Sequence, residues 1–250
     1  MIYAIGDIHG HLNLLSQLLD EVLPRLAKAD TLVFLGDYID RGPDSRGVLD
    51  LLVDLSLEVR MVLLRGNHED LALRARSGFQ PLQDEHGLYV AENDPVRHWL
   101  TEGGDATLRS YGLDLDEASD EEFQGWVSKI PETHWRLLES CELEWKQEHW
   151  WFVHAGILPA GMLWEYDGFG LDPRLWVREP FLSYRGDFDG RRVVFGHTPQ
   201  HDGKALQMPN KLGIDTGAAF GGPLTAALLS EDGKALGFLQ ASDASVSFSE

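Results

Sequence analysis

Each of the first three apolar runs of this chain ends in a glycine-framed polar cluster, and that repeated pattern limits the possible folds. Residues 2–6 (IYAIG) lead into Gly6-Asp7-Ile8-His9-Gly10, and residues 31–35 (TLVFL) into Gly36-Asp37-Tyr38-Ile39-Asp40-Arg41-Gly42. Residues 59–64 (VRMVLL) lead into Gly66-Asn67-His68-Glu69. Short β-rich runs of this kind read as buried strands. Between them, 11–27 sets Leu12, Leu15, Leu18, Leu19, Val22 and Leu26 at helical spacing. A second helix is predicted over 44–56 with Asp44 as its N-cap, and a third from about 68 to 77. Strand–helix alternation predicts a parallel sheet covered by helices on both faces. Asp7, Asp37 and Asn67 stand 30 residues apart, one strand–helix unit each, so neighbouring strands present them side by side.

From about 78 to 140 the pattern gives way to an acidic stretch, interrupted by glycine, whose Trp99, Trp126 and Trp135 suit a helical insertion packed beside the sheet. Strands return at 142–146, 149–154, 192–196, 212–215, 224–229 and 236–240, the last two joined as a hairpin turning at Asp232-Gly233. With no repeat and no flexible linker, residues 1–250 read as one α/β sandwich domain carrying that insertion.

Charge narrows the function. Lys+Arg 21 against Asp+Glu 41 leaves a formal charge of -20, which argues against a nucleic-acid or acidic-membrane partner. Bound cations can, however, invert the local field. No apolar run approaches a membrane span, the N-terminus lacks the features of a secretory signal, and the single Cys141 excludes an intrachain disulfide and a Cys-based zinc site. A soluble, cytoplasmic protein is expected; its oligomeric state is not legible.

Two later clusters behave like the first three: His154-Ala155-Gly156 after WWFV, and Gly196-His197-Thr198 after RVVF. Open α/β sheets bind ligands beyond the carboxyl ends of their strands, so five clusters delivered there converge on one site. Their Asp, Asn and His side chains offer oxygen and imidazole without thiolate, a set suited to Mn, Fe or Zn in an open catalytic geometry. Six such side chains exceed what one catalytic ion takes, and a carboxylate bridging two ions accounts for the number.

GDIHG, GDYIDRG, GNHE, HAG and GHT, in this order, resemble the calcineurin-like metallophosphoesterases. More narrowly, they resemble the phosphoprotein phosphatase family in its bacterial serine/threonine phosphatase branch. WLTEGGDATLRSYG (99–111 and the following glycine) and IDTGAAFGGPLTA (214–226) extend the likeness weakly, and most of 112–150 carries no signature. The resemblance implies a metallophosphoesterase-type β-sandwich flanked by helices. It implies two divalent ions, manganese foremost with iron or zinc as alternatives. Asp7 and His9 would hold one, Asp37 would bridge, and Asn67, His154 and His197 would complete the second. Arg41 would hold the substrate phosphate, with Arg178 as a second clamp and Arg174 as its alternative. His68, oriented by Asp40, would protonate the leaving oxygen. The implied reaction is hydrolysis of phosphomonoesters, of phosphoserine or phosphothreonine in proteins or of a small phosphoester, by a water acidified between the two ions. Symmetrical dinucleoside tetraphosphate hydrolases share the fold, but that branch usually lacks an acid at the position of Asp40 and carries Asp where Glu69 stands. A non-catalytic scaffold would have lost ligands, and this chain has lost none. Glu69 reads as a first-turn helix charge, the tryptophans as packing and Cys141 as a small buried hydrophobe.

Overall fold

A computed structural model of the chain describes residues 1–78, 95–119, 122–123, 125–165, 171–243 and 245–249. Strands β1 (Ile2–Ile5), β2 (Thr31–Phe34) and β3 (Met61–Leu63) lie parallel, with Ile2 opposite Thr31 and Leu32 opposite Met61. Their side chains divide by strand periodicity. Tyr3, Ile5, Leu32 and Phe34 pack toward helices, while Ile2, Ala4 and Val33 pack the other way. On the helical side lie α1 (Leu12–Val22), which buries Leu14, Leu15, Leu18, Leu19 and Val22, and α2 (Ser45–Leu55). The α1 helix ends before the predicted residue 27 because Pro24 falls in a 3-10 turn over Leu23–Arg25. Asp44 caps α2, its side chain accepting the Gly47 N–H at 2.8 Å.

The expectation of helices on both faces is corrected here. Ile2, Ala4, Val33 and Leu35 are covered not by helices but by Trp150, Phe152, Val194 and Leu212 of a second sheet. That sheet holds β4 (Glu144–Gln147), β5 (Trp150–Val153), β6 (Arg192–Phe195), β7 (Leu206–Gln207) and β8 (Lys211–Gly213), in the order β4-β5-β6-β8-β7. Alternating apolar residues do not say whether a helix or another sheet will cover them; only the later chain supplies the cover. The first sheet continues through β9 (Leu224–Leu229), antiparallel to β1, then β10 (Ala235–Ser242) and β11 (Ser245–Ser249). The β9–β10 hairpin turns with Gly233 at φ 84, a left-handed backbone that glycine adopts freely. Strands β7 and β11 escaped the sequence reading because LQ is too short, and SVSFS too polar, to signal burial.

Between β3 and β4 the described residues form α3 (Asn67–Gly78), α4 (Pro95–Trp99), a π-type turn (Leu100–Gly104), α5 (Asp105–Ser110), α6 (Trp126–Lys129) and α7 (Glu132–Ser140). Residues 79–94, 120–121 and 124 of the expected insertion lie outside the described residues. Trp99, Trp126 and Trp135 are buried against one another, with ring centroids 5.1 and 6.0 Å apart. Cys141 is buried. Among the described residues no helix is long and apolar enough to cross a membrane.

Candidate active site

All five polar clusters follow strand ends: Asp7 after β1, Asp37 after β2, Asn67 after β3, His154 after β5 and His197 after β6. Each chain segment must turn sharply where its strand stops. His9, Asp37, Asp40, Arg41 and His197 accordingly have φ between 47 and 73, a left-handed region that costs non-glycine residues energy. Gly66 is required for space: a Cβ there would lie 2.1 Å from Asp37 Oδ1 and 2.3 Å from its backbone nitrogen.

Asp37 stands at the centre. One carboxylate oxygen lies 3.4 Å from His9 Nε2 and the other 3.4 Å from His154 Nε2. Two groups of donor atoms form around it, His9–Asp37–His68 and Asp37–His154–His197, each with all atoms within 4.8 Å of one another. Asn67 turns Oδ1 to His154 Nε2 and His197 Nδ1, both at 2.9 Å. The Asp7 Oδ2 accepts the His197 backbone N–H at 2.8 Å, while its Oδ1 is buried without a partner.

Proton bookkeeping on two imidazoles tests whether a cation fits. His9 Nδ1 lies 3.0 Å from the Ile39 carbonyl and His154 Nδ1 lies 2.9 Å from that of Leu35. A carbonyl only accepts, so Nδ1 carries the proton, and burial pushes both imidazoles down toward the neutral form. His154 Nε2 is then a lone pair facing Asp37 Oδ1 and Asn67 Oδ1, whereas His9 Nε2 faces Asp37 Oδ2 and accepts from Arg41 Nη1 at 3.1 Å. Lone pairs aimed at lone pairs are repulsive unless a cation lies among them, and the second ring nitrogen bonded to a carbonyl is the usual arrangement of a metal-binding histidine. Burial, with Asp215 and Asp37 nearby, drives the Asp7 carboxyl well above its ordinary value, so a cation beside it is what would favour its charged form. The residues fit divalent ions.

Asp40 and His68 form a second, separate unit. Asp40 Oδ2 lies 2.7 Å from His68 Nδ1, and both side chains are fully buried. Trp99 Nε1 donates to both Asp40 oxygens at 3.0 and 3.1 Å, and the Thr107 hydroxyl donates at 2.6 Å. His68 Nε2 has no hydrogen-bond partner. Burial disfavours charge on His68, but the Asp37 and Asp40 carboxylates outweigh it and raise the imidazole above its ordinary value. Sequence reasoning did not assign Trp99 or Thr107 to this unit, since an indole in an apolar stretch reads as packing.

A pocket of about 250 Å³ opens over these groups, lined by Asp37, Asn67, His68, His197, Arg41 and Arg178, among others. Arg178 is exposed and reaches the His197 carbonyl at 3.5 Å. Arg174 is instead tied to Asp172 at 2.6 Å and to Glu144 at 3.5 Å. Asp215, another buried carboxylate at a strand end, was also missed; burial lifts it to about 6. Its position just after β8 was the available signal.

Glu69 lies in the first turn of α3, as its sequence position predicts, and is fully buried there. Its carboxylate accepts backbone N–H groups of Gly66, Asp37 and Tyr38 at 2.8 Å and of Ile39 at 3.4 Å. Burial and Asp37 push it up to about 8, against those four donors. It thus shapes the loop that presents Asp37. Glu69→Gln turns an NH₂ toward some of the same donors, and each buried donor left unmatched costs about 1–3 kcal/mol. Urea unfolding is expected to report a loss of at least about 2 kcal/mol; an unchanged midpoint would mean that the loop is held by other contacts.

Oxygen and imidazole donors beneath a pocket walled by two guanidinium groups, on stacked sheets with flanking helices, define a metallohydrolase acting on phosphate. The chain belongs to the calcineurin-like phosphoesterase family, whose model matches residues 1–201. Members of this family use a dinuclear metal site, and the two donor groups around Asp37 are suited to metal binding. The chain is similar to serine/threonine-protein phosphatase 1 of Salmonella typhimurium, 34% identical over 227 residues that cover 90% of each chain. It is also similar to an asymmetrical bis(5'-nucleosyl)-tetraphosphatase of Anoxybacillus flavithermus, 31% identical over 236 residues, 90% of this chain and 89% of that one. Its fold matches a solved cold-active protein tyrosine phosphatase with a TM-score of 0.59 at 16% identity, over 99% of this chain and 78% of that one.

Proposed function

We propose that this protein is a cytoplasmic phosphomonoesterase that removes phosphate from phosphoserine or phosphothreonine in proteins. Asp7, His9 and Asp37 would hold one divalent ion, and Asp37, Asn67, His154 and His197 a second, with manganese the leading choice. Such ions supply positive charge and lower the pKa of bound water from about 15.7 toward about 7. Arg41 and Arg178 grip the phosphate oxygens, a role suited to a planar guanidinium. Arg178 is favoured over Arg174, whose guanidinium is committed to Asp172 and Glu144. The chain acts as a single domain, and its segment from about 78 to 140 is an insertion that contributes Trp99 and Thr107.

One observation carries the reading: the buried Asp40–His68 pair, whose histidine lines the pocket and has no hydrogen-bond partner at Nε2. A serine or threonine alkoxide is a poor leaving group that needs a proton, and general acid catalysis is worth about 10²–10⁴-fold. A phosphoanhydride expels a phosphate, which leaves without one. The second reading, dinucleoside tetraphosphate hydrolysis, draws support from the Anoxybacillus relative and from the aromatic faces of Trp176 and Phe220 in the pocket wall. Chelator-stripped protein reloaded separately with Mn²⁺, Fe²⁺ or Zn²⁺ is expected to turn over a phosphoserine peptide at least about tenfold faster than diadenosine tetraphosphate. The opposite ranking with every metal would transfer the assignment to the second reading.

A further inference from the structure

The pocket wall carries charge that phosphate binding does not use. Glu102 and Glu165 line it beside Arg41 and Arg178, which are its only lysine or arginine side chains among the described residues. Glu102 Oε2 lies 3.7 Å from Arg41 Nη2, and both groups are partly open to solvent. Glu165 is exposed. Phe220, also in the wall, is 66% exposed, with the Arg41 guanidinium carbon 5.6 Å from its ring centroid. At the floor, His68 Nε2 is buried and without a hydrogen-bond partner.

A bound phosphate dianion is held by the two guanidinium groups and by the ions proposed at the pocket floor, none of which requires Glu102 or Glu165. What then faces the rest of the substrate is a pair of carboxylates and an open aromatic face. We infer that Glu102 and Glu165 select phosphomonoesters borne next to a cationic group, namely a phosphopeptide with Arg or Lys flanking the phosphorylated residue. A substrate cation meets two anions and can rest on the Phe220 ring. A leaving group that carries further phosphate charge meets the same anions with like charge. The chain's formal charge of -20 adds steering of the same sign. This inference rests on the phosphomonoesterase reading and sharpens it.

The test uses the Mn²⁺-loaded protein and four substrates: a phosphoserine peptide flanked by arginines, its counterpart flanked by glutamates, diadenosine tetraphosphate and p-nitrophenyl phosphate. Exposed pairs are individually weak, so kcat/KM is expected to favour the arginine peptide by about tenfold at low ionic strength. That ratio is expected to shrink severalfold at about 0.5 M salt, where the Debye length falls to a few ångströms. Glu165→Gln, which leaves the Arg41 ion pair intact, is expected to lower the ratio part of the way, and Glu102→Gln with Glu165→Gln to bring it near one. Equal rates for the two peptides at low salt would overturn the inference, as would a ratio that survives in the double variant or is indifferent to salt. The wild-type salt dependence decides even where a variant fails to fold. Cleavage of the tetraphosphate with neither peptide nor p-nitrophenyl phosphate hydrolysed would overturn the parent reading and the inference together. Charge-blind peptide turnover overturns the inference alone.

Discussion

Asp37→Asn is expected to lower hydrolysis of an aryl phosphate by at least about 10³-fold, equivalent to about 4 kcal/mol of transition-state stabilisation. Asp37 is shared by the two donor groups, with one oxygen 3.4 Å from His9 and the other 3.4 Å from His154. Asparagine keeps the shape but removes the charge, and it must turn an NH₂ toward one of the two imidazoles. A lone pair on that imidazole would then find a hydrogen-bond donor where a cation would have been. Metal analysis of the purified variant is therefore expected to fall from two ions per chain to one or fewer. Full activity in the presence of added Mn²⁺, or two ions still bound, would discard the shared-carboxylate arrangement.

His68→Asn is expected to cost about 10²–10⁴-fold on an alkyl phosphate and much less on p-nitrophenyl phosphate, whose leaving group needs no proton. This contrast separates an acid from a merely structural residue. His68 also belongs geometrically to the donor group with His9 and Asp37, so metal content is the control. As an acid, its loss leaves both ions in place; as a ligand, its loss removes one. Trp99→Phe and Thr107→Val should reproduce the same leaving-group bias at about tenfold amplitude. Each deletes a hydrogen bond to Asp40 while keeping most of the side-chain volume. Both are positioning residues, since they act on His68 only through Asp40. Equal losses on the alkyl and aryl substrates would remove His68 from the proton-donating role.

The strands that end in Asp7, Asp37 and Asn67 were legible because their apolar runs are short and glycine closes each one. Helix α1 was legible by leucine spacing, apart from its end at Pro24. Strands β7 and β11 were not: LQ is only two residues long, and in SVSFS the alternating Val246 and Phe248 are outnumbered by serines in a largely exposed strand. Within the site, residues framed by glycine motifs announced themselves. Glu69 did not, because an acid in a first helical turn is ordinary, and only burial beneath four N–H donors reveals its task. That Arg174 is tied to Asp172 and Glu144 was likewise not legible.

The sequence alone determined the donor inventory and its delivery to strand ends, because both are local: a strand stops where glycine permits a left-handed turn, and the next side chain is carried there. Only the tertiary structure decided which residues of the second sheet cover the first, and that Trp99 and Thr107 reach Asp40 from 59 and 67 residues away. It also decided that Glu102 stands beside Arg41. Such contacts follow from which apolar faces find each other when the chain collapses, and burial is non-directional, so no short-range pattern encodes the partner.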